Sequence, residues 1–218
     1  MTNLLTYLPL LLQGAGITIA AWFLAGALSL CLGICIGIMI CRSLASAQLT
    51  SVVRIYTFIA KGIPAYVQIL IAYFVLPAAL GITIPSFIAA TCALAFCSSG
   101  YVTEIVRSGI NALPRGQWDA CLALGYPLRA TLTRIILPQT VRNILPTLFG
   151  ELEQLLKSTS LLATIGVMEL TRAGMNIISR ELNPLPVYLA IACIYLLFSA
   201  LLQLIIIYTE RRMQYGAR

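Results

Sequence analysis

No charged side chain occurs before Arg42, and a second uncharged run extends from Gly62 to Thr103. Runs of that length cannot be folded onto a water-facing surface. A membrane-spanning helix takes roughly 20 mostly apolar residues. The first run therefore holds one span within residues 12–41, and the second is too long for one. Pro77, Gly81 and Pro85 divide it into two helices, about 56–77 and 86–106, joined by a short turn. A weaker apolar segment, about 140–168, is interrupted by Glu151, Glu153 and Lys157, and a last span covers about 186–209. Only 10% of the residues are charged, against roughly 25% in a soluble domain, so lipid is part of the solvent. The chain reads as one all-α integral membrane domain over residues 1–218 with about five spans. Its uncharged N-terminus lacks the basic start and short apolar core of a secretory signal, and is expected to be retained.

The basic residues set the expected topology. If the connections 42–55 and 107–142 share a side with the C-terminus, that side holds Arg42, Arg54, Arg107, Arg115, Arg129, Arg134, Arg142, Arg211, Arg212 and Arg218. The other side holds Arg172 and Arg180. The positive-inside rule then places the N-terminus outside and the C-terminus in the cytoplasm. The net charge of +7 is thus spent on loops, and nucleic acid is not an expected partner. Seven cysteines without a C-x-x-C pair, and no histidine, give no metal site; the cysteines are read as small apolar packing residues.

Two further patterns concern helix packing. Ala21, Ala25, Ser29, Gly33, Gly37 and Cys41 recur every four residues on the first span, a small-residue stripe that lets another helix approach closely. Gly62 and Pro64 mark either a broken helix that exposes backbone carbonyls or a kink repaired by neighbouring helices; the kink is the expectation.

The stretch about 107–138 mixes arginines with Pro114, Gly116, Gly125, Pro127 and Pro138, and reads as a cytoplasmic loop with short helices. Within it Asp119-Ala120-Cys121 is followed after three residues by Gly125, and after nine more by Ile135, then Leu137-Pro138. A short helix of small residues (Ala120, Cys121, Ala123) can sit in a groove on another protein. Gly125 can end it in the left-handed conformation, and Pro127 blocks its continuation. The spacing resembles the EAA signature of permease subunits of ATP-binding-cassette (ABC) importers, with aspartate for glutamate and Cys121 for the second alanine. The flanking residues Tyr101, Glu104, Ile105, Arg107, Gly109, Ile110, Pro114, Gly116, Gln117 and Trp118 extend the likeness. So do Lys61-Gly62-Ile63-Pro64 with Gln68, the run Leu156–Leu161, Ile165-Gly166 and Glu169-Leu170-Thr171-Arg172. Together these resemble the polar amino acid uptake group of importer permeases, the histidine, arginine and glutamine type.

That resemblance implies a type I ABC importer permease fold in a bacterial plasma (inner) membrane. It implies that Gly116, Asp119, Ala120, Cys121, Gly125, Ile135, Leu137 and Pro138 form a coupling helix and its flanks, docking on the ATPase. The partners implied are two ATPase subunits, a second permease copy or a paralogue, and a periplasmic or surface solute-binding protein. No Gly-Lys-Ser/Thr phosphate loop occurs here: Lys61 follows Ala60 and Lys157 follows Leu156. ATP and Mg are therefore expected on the partner, with no cofactor and no catalytic residue in this chain.

Ionisable groups inside a membrane face a cavity or a partner. Glu104 and Arg107, three apart, and Glu153 and Lys157, four apart, are expected ion pairs along a helix. Glu151 has no such local partner. It either contacts the cationic group of a polar amino acid, with Ser158, Thr159 and Gln68 on the same path, or pairs with a neighbouring helix or a dimer partner. The rival to a transporting permease is a non-transporting membrane subunit, a sensor or export component, using the same docking loop.

Overall fold

A computed structural model describes residues 4–41 and 46–215, with side chains over 6–41 and 46–211. Arg42, Arg218 and the side chain of Arg212, counted in the topology argument, lie outside the described residues. Among the latter every regular element is helical. These are α1 (Leu4–Met39), α2 (Ala47–Gly62), α3 (Ala65–Leu80), α4 (Ser86–Asn111), α5 (Arg115–Ala123), α6 (Leu128–Ile165), α7 (Leu170–Glu181) and α8 (Pro184–Tyr215). Three of them, α1, α4 and α8, are long and apolar enough to cross a membrane, and the bent pairs α2–α3 and α6–α7 bring the number to five.

The small-residue stripe does what its spacing predicts. Ala21, Ala25, Ser29 and Cys41 are fully buried, and α1 lies along α4 over much of its length. A Cβ on Gly33 would stand 2.5 Å from the Val102 Cβ, and one on Gly37 would stand 2.7 Å from the Val106 Cβ. The helices approach to backbone distance there, and no larger residue fits. α4 is the hub of the molecule, since α1, α2, α3 and α6 all pack on it.

The prolines act differently from the sequence reading. Pro77 does not end its helix: α3 continues to Leu80 and stops at Gly81, whose φ is +66°. Pro138 does not begin the fourth segment, because α6 starts at Leu128. A proline lacks the N–H that would bond to the carbonyl four residues back, and its ring crowds that carbonyl. In both helices a wider π turn, Ile71–Val75 or Thr131–Ile136, stands just before the proline and accommodates it. The loop drawn at 107–138 is accordingly shorter. α4 runs to Asn111, α5 occupies the middle, and residues 128–138 already belong to α6. The expected kink at Pro64 is a complete break: α2 and α3 meet at 99°.

Candidate functional site

The break at Pro64 orients the first wall of the candidate site. The carbonyl of Ala60 would bond to the N–H of residue 64 in a continuing helix, and proline has none. Gln68, one turn beyond the proline, replaces it. Its Nε2 donates to the Ala60 carbonyl at 2.8 Å and to the Ile63 carbonyl at 2.7 Å. The side chain is 7% exposed, so it is a brace inside the break. Proline and glutamine four residues apart thus form one device, the first making the orphan carbonyl and the second satisfying it.

The break turns Lys61 and Pro64 toward α4 and α6. There they line a cavity of about 280 Å³ with Cys97, Ser98, Tyr101, Glu151, Gln154 and Ser158. Glu151 accepts a hydrogen bond from the Ser98 hydroxyl at 2.7 Å. No cation lies within 4 Å of it among the described residues. Lys61 stands on the same cavity, its Nζ 5.8 Å from the centroid of the Tyr101 ring. The cavity therefore offers one carboxylate and one ammonium, with hydroxyl and amide groups between them. Two residues expected on the path do not reach it. Thr159 is fully buried, its hydroxyl donating to the Leu156 carbonyl at 2.6 Å, and Gln68 sits behind the break. Glu153 and Lys157 pair at 2.7 Å, and Glu104 pairs with Arg107.

The second candidate region is α5. Pro114 precedes its first turn, where a missing N–H costs nothing. At its other end Tyr126 N–H donates to the Cys121 carbonyl at 2.9 Å and Gly125 N–H to the Leu122 carbonyl at 3.0 Å. Gly125 has φ +69°. This paired termination requires a left-handed residue, which glycine adopts without a Cβ penalty. One side of α5 is fastened to the membrane domain: Cys121 is 4% exposed, Trp118 packs in the cluster of Ile110 and Ile136, and Gln117 and Gln139 exchange two amide hydrogen bonds at 2.9 and 2.7 Å. The other side is open. Asp119, Ala120 and Ala123 are exposed, and Leu122 and Leu124 are 74% and 75% exposed. Cys121, expected to face a partner, faces inward instead. Ile135 and Leu137 are partly buried against the same cluster beneath α5.

Glu169 is a structural residue that composition and spacing did not single out. It is fully buried and caps α7, accepting from the N–H groups of Thr171 and Arg172 at 2.8 Å each. The hydroxyl of Tyr195 on α8 donates to it at 3.2 Å. Thr18 on α1 accepts from the N–H of Leu170 at 3.1 Å. A carboxylate at a helix start is favoured by the backbone dipoles, and here it gathers three helices at one point.

Comparison with known proteins gives a consistent answer. Residues 29–215 match the family model described as binding-protein-dependent transport system inner membrane component. The arginine transport system permease protein ArtQ of Bacillus subtilis is 32% identical, over 95% of this chain and 94% of that protein. The glutamine transport system permease protein GlnP of Escherichia coli K12 is 34% identical, over 95% and 94%. A crystal structure of an amino acid ABC transporter with histidines superposes with a TM-score of 0.88 at 32% identity, over 96% of this chain and 97% of that one. An inward-facing structure of the MetNI methionine ABC transporter shares the fold, with a TM-score of 0.83 at 18% identity, over 97% and 99%. The three long apolar helices with the two bent pairs, the helix α5 between the third and fourth of these passes, and these matches place the chain in the family of binding-protein-dependent transport system inner membrane components, as a permease of the type I ABC importer fold.

Proposed function

We propose that this permease carries a polar amino acid through the cavity bounded by Lys61 and Glu151, with transport driven by ATP and Mg on a separate ATPase subunit. The observation that supports the substrate class is the pair of opposite charges on one cavity. Lys61 supplies a partner for the substrate's carboxylate and Glu151 one for a cationic side chain, with Ser98 and Ser158 alongside. An unpaired carboxylate so placed favours a substrate with a further cationic group, and the arginine and glutamine permeases among the relatives fit a polar substrate.

The exposed face of α5, with Asp119, Ala120, Leu122, Ala123 and Leu124, is the surface that docks on the ATPase, two copies of which serve a pair of permeases. The second permease is another copy or a paralogue, and a solute-binding protein delivers substrate from outside. The arginine distribution places the N-terminus outside and the α5 side in the cytoplasm.

The test is substrate-dependent ATPase activity in proteoliposomes containing this chain, its ATPase and its binding protein, across a panel of amino acids. Stimulation by arginine, lysine or histidine, weakened about tenfold or more in apparent affinity by Glu151→Gln, is the expected result. Stimulation that ignores Glu151→Gln would remove that residue from the path. An assembled complex stimulated by no amino acid would favour a non-transporting subunit.

A further inference from the structure

A second and larger polar cavity continues the same α2–α4 seam. It measures about 580 Å³ and is lined, among the described residues, by Thr50, Arg54 and Thr57 of α2, by Glu104, Arg107 and Asn111 of α4, and by Ile40. That volume lies within the range of small-molecule sites. Lys61, Thr57, Arg54 and Thr50 fall on one face of α2, and Tyr101, Glu104, Arg107 and Asn111 on one face of α4, at three- and four-residue steps. Glu104 stands about 4.5 Å further along α4 than Tyr101, and Arg54 about 10 Å further along α2 than Lys61. A molecule leaving the Lys61–Glu151 cavity toward α5 therefore meets this one next.

The charges around it are unbalanced. Arg107 is ion-paired with Glu104, while Arg54 and Lys61 also act electrostatically on that carboxylate. Neither Arg54 nor Lys61 has an ion-pair partner within 4 Å among the described residues. Among the described residues two cations, Arg54 and Arg107, and one anion, Glu104, line the cavity. Arg107 is engaged by Glu104, which leaves Arg54 to receive an incoming anionic group, and Glu104 offers a place for an ammonium beside it. Among the described residues every lining side chain but Ile40 carries a polar group, which suits a small hydrated solute.

We infer that this cavity is a second, exit-side binding site for the transported amino acid, in which Arg54 holds the α-carboxylate and Glu104 the α-ammonium. The inference rests on the amino acid permease reading and on the orientation given above. Because only backbone groups are read, the site is blind to the side chain, whereas the Glu151 cavity is selective. Release is thereby separated from recognition: the side chain loses its partner first, and the backbone charges are handed to a weaker site nearer the exit.

Equilibrium binding of tritiated L-arginine and L-glutamine to the full permease–ATPase complex in nanodiscs, without nucleotide or binding protein, tests this. Two components are expected, the weaker displaced by unlabelled glycine and the tighter not. Arg54→Gln weakens the second component about tenfold or more and leaves the tighter one intact, which also shows that the variant folds; Arg54→Lys keeps both. Glu151→Gln does the reverse. The inference fails if Arg54→Gln changes nothing, or if both variants remove the same component. It also fails if the weaker component is present in phosphatidylcholine nanodiscs but absent with phosphatidylglycerol, since the anionic headgroup of the membrane lipid then occupies the cavity. Arg54-dependent binding with no Glu151-dependent component would instead sink the selective cavity and leave this one standing.

Discussion

The two faces that α4 presents to its neighbours are built on opposite principles. Toward α1 it is dry and close: Val102 and Val106 sit against Gly33 and Gly37 at distances no added methyl could share. Toward α2 and α6 it packs as closely at two points, Gly100 against Ala60 and Gly109 against Ile144, but beside these contacts it is polar and open, with Ser98, Tyr101 and Glu104 on cavities that also receive charged groups. In a membrane the hydrophobic effect does not draw helices together, so close packing must hold the frame. Where α4 gives up close packing beside these cavities, hydrogen bonds and a brace replace it. The difference separates residues that keep the permease assembled from residues that let it work.

The comparison breaks most visibly if the frame is disturbed. Gly→Ala within a helix ordinarily gains about 0.5–1 kcal/mol. At Gly33 the new Cβ meets the Val102 side chain and lies 2.9 Å from the Ser99 carbonyl oxygen. Gly33→Ala is therefore expected to destabilise the protein by about 1–3 kcal/mol despite the better propensity, read as a lower melting temperature in detergent. Gly16→Ala, on the same helix with nothing within 4 Å of a Cβ, is the control and should hold or raise the melting temperature. Equal behaviour of the two variants would remove the close seam as the source of rigidity.

On the polar face the largest effect belongs to the brace. Gln68→Met keeps the length of the side chain and removes both hydrogen bonds, leaving the Ala60 carbonyl buried without a partner. A cost of about 1–3 kcal/mol is expected, and it should fall on the bend. The informative readout is the distance between spin labels on α2 and α3, together with the affinity of the Lys61–Glu151 cavity. A variant with unchanged distance and unchanged affinity would show that Pro64 alone sets the angle.

What the sequence disclosed about these faces follows from how local the signals are. The stripe from Ala21 to Cys41 repeats at the helix period, so it was legible, as were the intrahelical pairs Glu104–Arg107 and Glu153–Lys157. Gly125 was legible because a left-handed helix end is a property of one residue. The prolines misled because a π turn can absorb one inside a helix, and nothing adjacent to Pro77 or Pro138 announces it. Gln68 was drawn to attention by resemblance and assigned to the path, yet its partners are carbonyls eight and five residues back across a break. Thr159 was grouped with Ser158 although consecutive helical residues point about 100° apart, and only Ser158 faces the cavity. Glu169 depends on Tyr195 and Thr18, on other helices, and no spacing along the chain brings those together.

The smallest effect predicted is also the sharpest test of where function lies on α6. Glu151 and Glu153 are two residues apart and point in different directions; Glu151 lines the cavity, and Glu153 pairs with Lys157, whose side chain is 54% exposed. An exposed i, i+4 pair contributes about 0.3–0.5 kcal/mol. Lys157→Gln should therefore change the melting temperature by a degree or two at most and leave substrate-stimulated ATPase activity near that of the unaltered protein, while Glu151→Gln changes affinity and leaves stability alone. If Lys157→Gln instead altered substrate preference, the Glu153 carboxylate freed by it would be reaching the path, and the division of α6 into a cavity side and a solvated side would have to be redrawn.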